Sequence, residues 1–158
     1  MVNEVLNSSV RKVIVFQLAN EEYAVPVEQV GSIERITSIT RVPQAKSFVK
    51  GVMNLRGVIT PLIDLRNRFD MEEQEFTNAS RIIIVQIEEI EVGLIVDSAN
   101  DVLDIPINSI EPPPEVIGTI DVDYIEGVAK VEDRLLILLN LQKVLLEEDI
   151  EDLKRMEE

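Results

Sequence analysis

The second half of the chain restates the first, and this repeat constrains the fold more than any single residue does. Displaced by 69 positions, Val13-Ile14-Val15-Phe16-Gln17-Leu18 falls on Ile82-Ile83-Ile84-Val85-Gln86-Ile87. The match then runs without a gap through Tyr23/Val92, Val25/Leu94, Val27/Val96, Glu28/Asp97, Ile33/Val102 and Ile36/Ile105. Further on the offset becomes 76, where Phe48 meets Tyr124, Val49 meets Ile125, Gly51 meets Gly127, Val52 meets Val128, Leu62 meets Leu138 and Leu65 meets Leu141. Two copies of one small β unit follow, joined near Asn67–Ser80, with a longer Pro-rich loop in the second copy.

Within each copy the apolar runs are short, β-branched and parted by turn residues. Val13–Leu18 and Tyr23–Val27 read as a hairpin around Ala19-Asn20-Glu21-Glu22, Gly31–Ile36 as a third strand, and Val49–Leu55 with Val58–Leu65 as a second hairpin turning at Arg56-Gly57. Pro61 has no ladder donor, which predicts an edge or a bulge for its strand. About five strands in so short a unit are too many for an open sheet with one buried face, and a small closed barrel removes the exposed edges. Asp64 or Asn67 is placed to cap a brief turn through Phe69. Asn140 is placed to cap a helix in which Leu141, Val144, Leu145, Ile150 and Leu153 recur at helical spacing. The mostly charged Glu147–Glu158 reads as a solvated end of that helix.

Composition removes whole classes of function. The chain has no cysteine and no histidine, which excludes disulfides, thiolate catalysis, sulfur-based zinc sites and Ser-His-Asp triads. Of the formal charge of −15, residues 1–76 hold nine basic and ten acidic side chains, and residues 77–158 hold six and twenty. The second copy therefore repels phosphate backbones and anionic membranes, while the uneven field suits different partners on different faces. No stretch reaches the roughly 20 apolar residues of a membrane span, and Met1–Lys12 lacks the pattern of a signal peptide. The expectation is a cytoplasmic protein.

Two groups of words narrow the class further. The segment Phe48–Arg66 contains Gly51-Val52-Met53-Asn54-Leu55-Arg56-Gly57 and Pro61-Leu62-Ile63-Asp64-Leu65-Arg66; before it stands Ile39-Thr40-Arg41-Val42-Pro43 and after it Glu91-Val92-Gly93-Leu94-Ile95-Val96-Asp97. Together these resemble the CheW family, and the resemblance runs from about Val10 to Leu146. It implies a mainly β fold of two SH3-like five-stranded barrels related by a pseudo-twofold axis, with a C-terminal helix. Residues 1–158 would form a single CheW-like domain, with a first barrel at 11–68, a second at 80–140, and a helix and acidic tail at 141–158.

The resemblance also implies a non-enzymatic adaptor without a cofactor or metal. Its partners would be the cytoplasmic tip of methyl-accepting chemotaxis receptors and the regulatory domain of the histidine kinase CheA. The protein alone would be a monomer that joins rings or arrays at the membrane only with kinase and receptors. Receptor contact would fall on Ile14, Val27, Val30, Ile33 and Arg56, and kinase contact on Arg41, Val42, Pro43, Asn54 and Gly57. Read from their own neighbours, Ile14 and Val27 suit a core as well as an interface, while Val30 and Ile33 lean towards an interface. Arg56, at a hairpin tip, suits a solvated turn as well as an anchor.

Other readings are weaker. The same domain occurs as the docking half of CheV-type adaptors and at the regulatory end of CheA, so a fragment of either is the alternative; the length leaves no receiver, phosphotransfer or ATP-binding region. An aspartic dyad of Asp64 and Asp97 lacks the sequence setting it needs, and its members repeat as Asn140 and Glu28. Calcium binding by Asp121-Val122-Asp123 or by the acids of Glu147–Asp152 lacks the twelve-residue loop. Glu111-Pro112-Pro113-Pro114-Glu115 is a stiff insertion that suits a rigid loop, or a surface used in ring formation.

Overall fold

A computed structural model describes residues 10–113, 122–145 and 147–157. Eleven strands are present among them: β1 (Val10–Leu18), β2 (Glu21–Pro26), β3 (Val30–Arg35), β4 (Val49–Leu55), β5 (Val58–Asp64), β6 (Arg81–Ile87), β7 (Ile90–Val96), β8 (Ser98–Pro106), β9 (Ile110–Glu111), β10 (Ile125–Val131) and β11 (Arg134–Leu139). Three short helices join them: α1 (Leu65–Arg68), α2 (Leu141–Val144) and α3 (Glu147–Glu157). The strands form two sheets, ordered β8-β1-β2-β11-β10-β9 and β3-β6-β7-β5-β4.

Both sheets curl into small barrels. In the first, the two end strands β8 and β9 are consecutive in the chain and parted only by the 3-10 turn Ile107–Ser109. In the second, the end strands are β3 and β4, and Thr40, just beyond β3, bridges Val52 of β4 with backbone bonds of 2.9 and 2.8 Å. Five strands make the second barrel, as expected, while the first has six because the two-residue β9 is separate from β8.

The barrels cut across the repeat. The first takes β1 and β2 from one copy and β8–β11 from the other, whereas the second is built from β3–β7. Residues 11–68 and 80–140 thus each supply strands to both sheets. The exchange is reciprocal: β3 lies antiparallel on β6 as β8 lies on β1, and β5 runs parallel to β7 as β11 runs parallel to β2. This is the pseudo-twofold relation that the sequence offset traces. Similar residues mark equivalent strands, but they carry no information about which copy each strand pairs with.

Alternation along the strands explains the nearly unbroken apolar runs. Val13 and Val15 fill the first barrel with Ala24, Ile105, Leu136 and Leu138, and Ile82 and Ile84 fill the second with Met53, Leu62 and Ile95. Their neighbours Ile14, Phe16, Ile83, Val85, Ile63 and Ile137 point the other way, into a larger core between the barrels. Strands buried on both faces read as continuous hydrophobic runs, which is usual for parallel sheets and here serves a mixed pair.

The glycines that match across the repeat stand where the chain passes closest to itself. A Cβ on Gly51, whose φ is +149°, would lie 2.3 Å from the carbonyl oxygen of Thr40; one on Gly127 would lie 2.7 Å from that of Glu111. Only a residue without a side chain permits these approaches. Pro61, in contrast, is not on an edge. β5 is flanked by β7 and β4; Pro61 is tolerated because the ladder to β7 covers only Leu62–Asp64, one step later, and the bulge expected as the alternative lies in β4 between Val49 and Gly51.

The helix ends follow the capping residues. Asp64 accepts the N–H groups of Arg66 and Asn67 at 3.1 and 3.4 Å, and Asn140 accepts that of Gln142 at 3.1 Å. The single C-terminal helix expected from Leu141 onward is instead two, because Leu145 is extended (φ −116°, ψ 139°). Nor is the far end a solvated tail. α3 buries Ile150 and Leu153 in the core between the barrels, and its Asp149 is only 2% exposed and paired with Lys46. The charged residues surround an apolar stripe that outweighs them.

Candidate functional site

β3 carries two of the residues singled out above, and a bulge decides where they point. Val30 pairs with Val85 but Ser32 pairs with Ile84, so the register slips at Gly31. Val30 and Ile33, opposite Val85 and Ile83, therefore share the face that borders the core between the barrels. Val27, in the 3-10 turn before β3, packs against the same core with Val30, both half-buried; Ile33 continues the line outward and is 41% exposed. Together they make an apolar rim. Ile14 lies deeper, 6% exposed within that core, so of its two readings the structure places it in the interior.

Arg56 lies at the tip of the β4–β5 hairpin, where Arg56 and Gly57 take positive φ values of 54° and 87°. This is the two-residue turn whose twist matches the strands, and Asn54 holds it by accepting the Gly57 N–H at 2.8 Å. The Arg56 side chain is 75% exposed and reaches Glu34 on β3 at 3.0 Å. Val58 and Ile59 beside the turn are exposed as well, a feature that the strand pattern did not reveal. At the matching tip of the second copy stand Glu132 and Asp133, so the charge is reversed between equivalent hairpins.

The remaining candidates separate into two places. Asn54 and Gly57 belong to the Arg56 tip. Arg41, Val42 and Pro43 leave the Thr40–Val52 bridge in the opposite direction, and there Val42 and Pro43 line a cleft of about 360 Å³ with Phe48, Val49 and, from α3, Leu153 and Met156. Arg41 and Val42 also border an adjoining cleft of about 330 Å³ with Lys50 and Glu73.

The carboxylates considered for chemistry are engaged in holding the fold. Asp64 caps α1. Asp97 receives Arg66 at 2.9 and 2.5 Å and accepts the Ala19 N–H at 2.8 Å, and the pairing raises the pKa of Arg66 further. Among the described residues no group of three or more Asp or Glu is placed to hold a metal ion. Asp121, Pro114 and Glu115 lie outside the described residues. No described helix is long and apolar enough to cross a membrane.

Such a structure, two small barrels built from strands exchanged between the copies of a repeat, defines a double β-barrel domain. The model of the CheW-like domain matches residues 12–149. A chemotaxis protein CheW of Bacillus subtilis is 47% identical over 135 residues, covering 85% of this chain and 86% of that protein. One of Klebsiella aerogenes is 35% identical over 137 residues, covering 87% and 82%. A crystal structure of the scaffolding protein TtCheW from Thermoanaerobacter tengcongensis superposes with a TM-score of 0.81 at 41% identity, covering 88% of this chain and 90% of that one. The chain belongs to the CheW-like family.

Proposed function

We propose that this protein is a non-enzymatic chemotaxis adaptor that couples the cytoplasmic tip of chemoreceptors to the regulatory domain of the histidine kinase CheA. Membership of the CheW-like family supports this reading, and the observation that carries it to particular residues is the exposed Arg56 tip together with the rim of Val27, Val30 and Ile33. Receptor tips are helical hairpins, and an apolar rim with a charged fork at one end suits a helix that presents an apolar stripe and an acidic or polar flank. Ile14, from the interior, supports that rim without touching the partner.

The kinase would meet the face that holds Arg41, Val42 and Pro43, where a cleft lined by both apolar and charged side chains, Lys46, Asp152 and Arg155 among them, stands clear of the Arg56 tip. Asn54 and Gly57 contribute by fixing the conformation of the tip. A chain with two separate faces can hold both partners at once, working in the cytoplasm at membrane receptor arrays. Calorimetric titration of the protein into the regulatory domain of the kinase from the same genome tests this half: saturable one-to-one heat supports it, and no heat with a folded sample refutes it.

A further inference from the structure

We propose that Arg68 fixes the angle between the two barrels, and that holding two partners at once depends on that angle. The second clause rests on the adaptor reading above; the first stands on the structure alone.

Arg68 ends α1, which follows β5 of the second barrel, yet most of its contacts belong elsewhere. Its Nε–H donates to the carbonyl oxygen of Val144, at the end of α2, at 2.5 Å. Its guanidinium lies between two rings, 4.9 Å from the centroid of Phe48 and 5.1 Å from that of Tyr124, and 4.0 Å from a carboxylate oxygen of Asp149 on α3. Tyr124 leads into β10 and Val144 follows β11, both of the first barrel, while Phe48 precedes β4 of the second. One side chain thus joins both barrels and the C-terminal helix.

The aromatic residues point to the same place. Rings run from Phe16 to Tyr23 (5.7 Å), to Phe69 (6.3 Å) and to Tyr124 (5.2 Å), passing from the first barrel to α1 and back. The chain has four Phe, two Tyr and no Trp. All but Phe76 lie in this run or under Arg68.

Most of the core between the barrels is aliphatic, and burial of aliphatic surface is non-directional. Small shear is the motion that packing of that kind permits. A planar guanidinium held over two rings while its Nε–H donates to a carbonyl is directional where aliphatic burial is not. At the offset of 76, Arg66 and Arg68 correspond to Gln142 and Val144, so the pseudo-twofold relation does not supply a second brace. A second polar link joins the barrels through Asp97, which receives Arg66 of α1 and the Ala19 N–H of the β1–β2 turn, so Arg68 acts beside that link and not alone.

Absence of cysteine makes the test clean. Glu91→Cys and Lys130→Cys place spin labels on exposed positions of β7 and β10, in different barrels. Pulsed electron paramagnetic resonance then reads the distance distribution in the parent, in Arg68→Met and in Arg68→Lys, which keeps the charge without the fork. The proposal expects the distribution to widen about twofold in both variants while circular dichroism still reports a folded protein. In unlabelled protein, the affinity of Arg68→Lys for the kinase regulatory domain alone should change by less than about twofold, while retention of kinase on immobilised receptor tips falls about tenfold. An unchanged distance distribution in a folded variant overturns the proposal. So does full retention by a variant whose distribution has widened. If the parent binds neither partner, the adaptor reading fails, and the spin-label distances still decide what Arg68 does.

Discussion

Arg56 and Glu34 come from opposite ends of the β3-β6-β7-β5-β4 sheet and are joined at 3.0 Å. The contact shows how far the sheet curls, and it lies where solvent screens it. An exposed pair of this kind contributes about 0.5 kcal/mol to stability. Arg56→Ala is therefore expected to leave the melting temperature nearly unchanged while weakening receptor-tip binding by about 2 kcal/mol, as truncation of an interface anchor does. Thermal melting and a pull-down on the same samples check this. A loss of stability as large as the loss of binding would make Arg56 a structural residue.

The glycines offer a contrast within one hairpin. Gly51→Ala drives a Cβ to within 2.3 Å of backbone at a φ of +149°, while Gly57→Ala meets nothing within 4 Å and bears only the strain of φ +87°. Denaturant unfolding is expected to show a loss of about 3–4 kcal/mol for the first and about 1 kcal/mol for the second.

Truncating Leu153, which is 1% exposed, tests whether α3 is part of the fold. Leu153→Ala should cost about 3 kcal/mol in the same unfolding measurement. A solvated helix would lose almost nothing.

Tyr23 gives a pH dependence with a definite sign. It is fully buried and donates its hydroxyl to Glu21 at 2.9 Å; burial first, then the bond and charge of Glu21, hold its pKa far above the usual tyrosine value. The neutral phenol is thus favoured by the folded state. Its stabilising contribution is complete below the unfolded pKa of about 10 and declines as pH rises above it, because the unfolded chain can then release the proton. Tyr23→Phe should lower stability by about 1 kcal/mol at pH 7 for the lost bond. The gap to the parent should close as pH rises through about 11, in urea titrations at the two pH values.

Much of this was legible in the sequence because each strand, turn and cap is locally determined. The offset identified equivalent strands, and Asp64 and Asn140 announced their helices, whereas the close approaches at Gly51 and Gly127 showed only in the folded chain. What stayed hidden depends on partners distant in the chain. Nothing local in Val30–Arg35 says that it will pair with Arg81–Ile87, nor that Ile14 faces the core between the barrels while Val13 faces the barrel interior. Pro61 suggested an edge or a bulge; the strand is internal, and the bulge lies in the partner strand β4 between Val49 and Gly51, one step from the Val52–Pro61 pair. Arg56 was visible from its motif, but Glu34 was not, being brought to it only by curvature. Arg66 was visible in Pro61–Arg66, yet its pairing with Asp97 and the wider brace around Arg68 needed the folded chain.

The central claim is that one molecule holds receptor and kinase together, and immobilised receptor tips test it most directly. Kinase regulatory domain is passed over them with and without this protein, and the retained kinase is measured. The adaptor account predicts retention that depends on the protein, saturates, and is lost with Arg56→Ala. Retention that is the same without the protein, or absent in its presence although each component is folded, would contradict it.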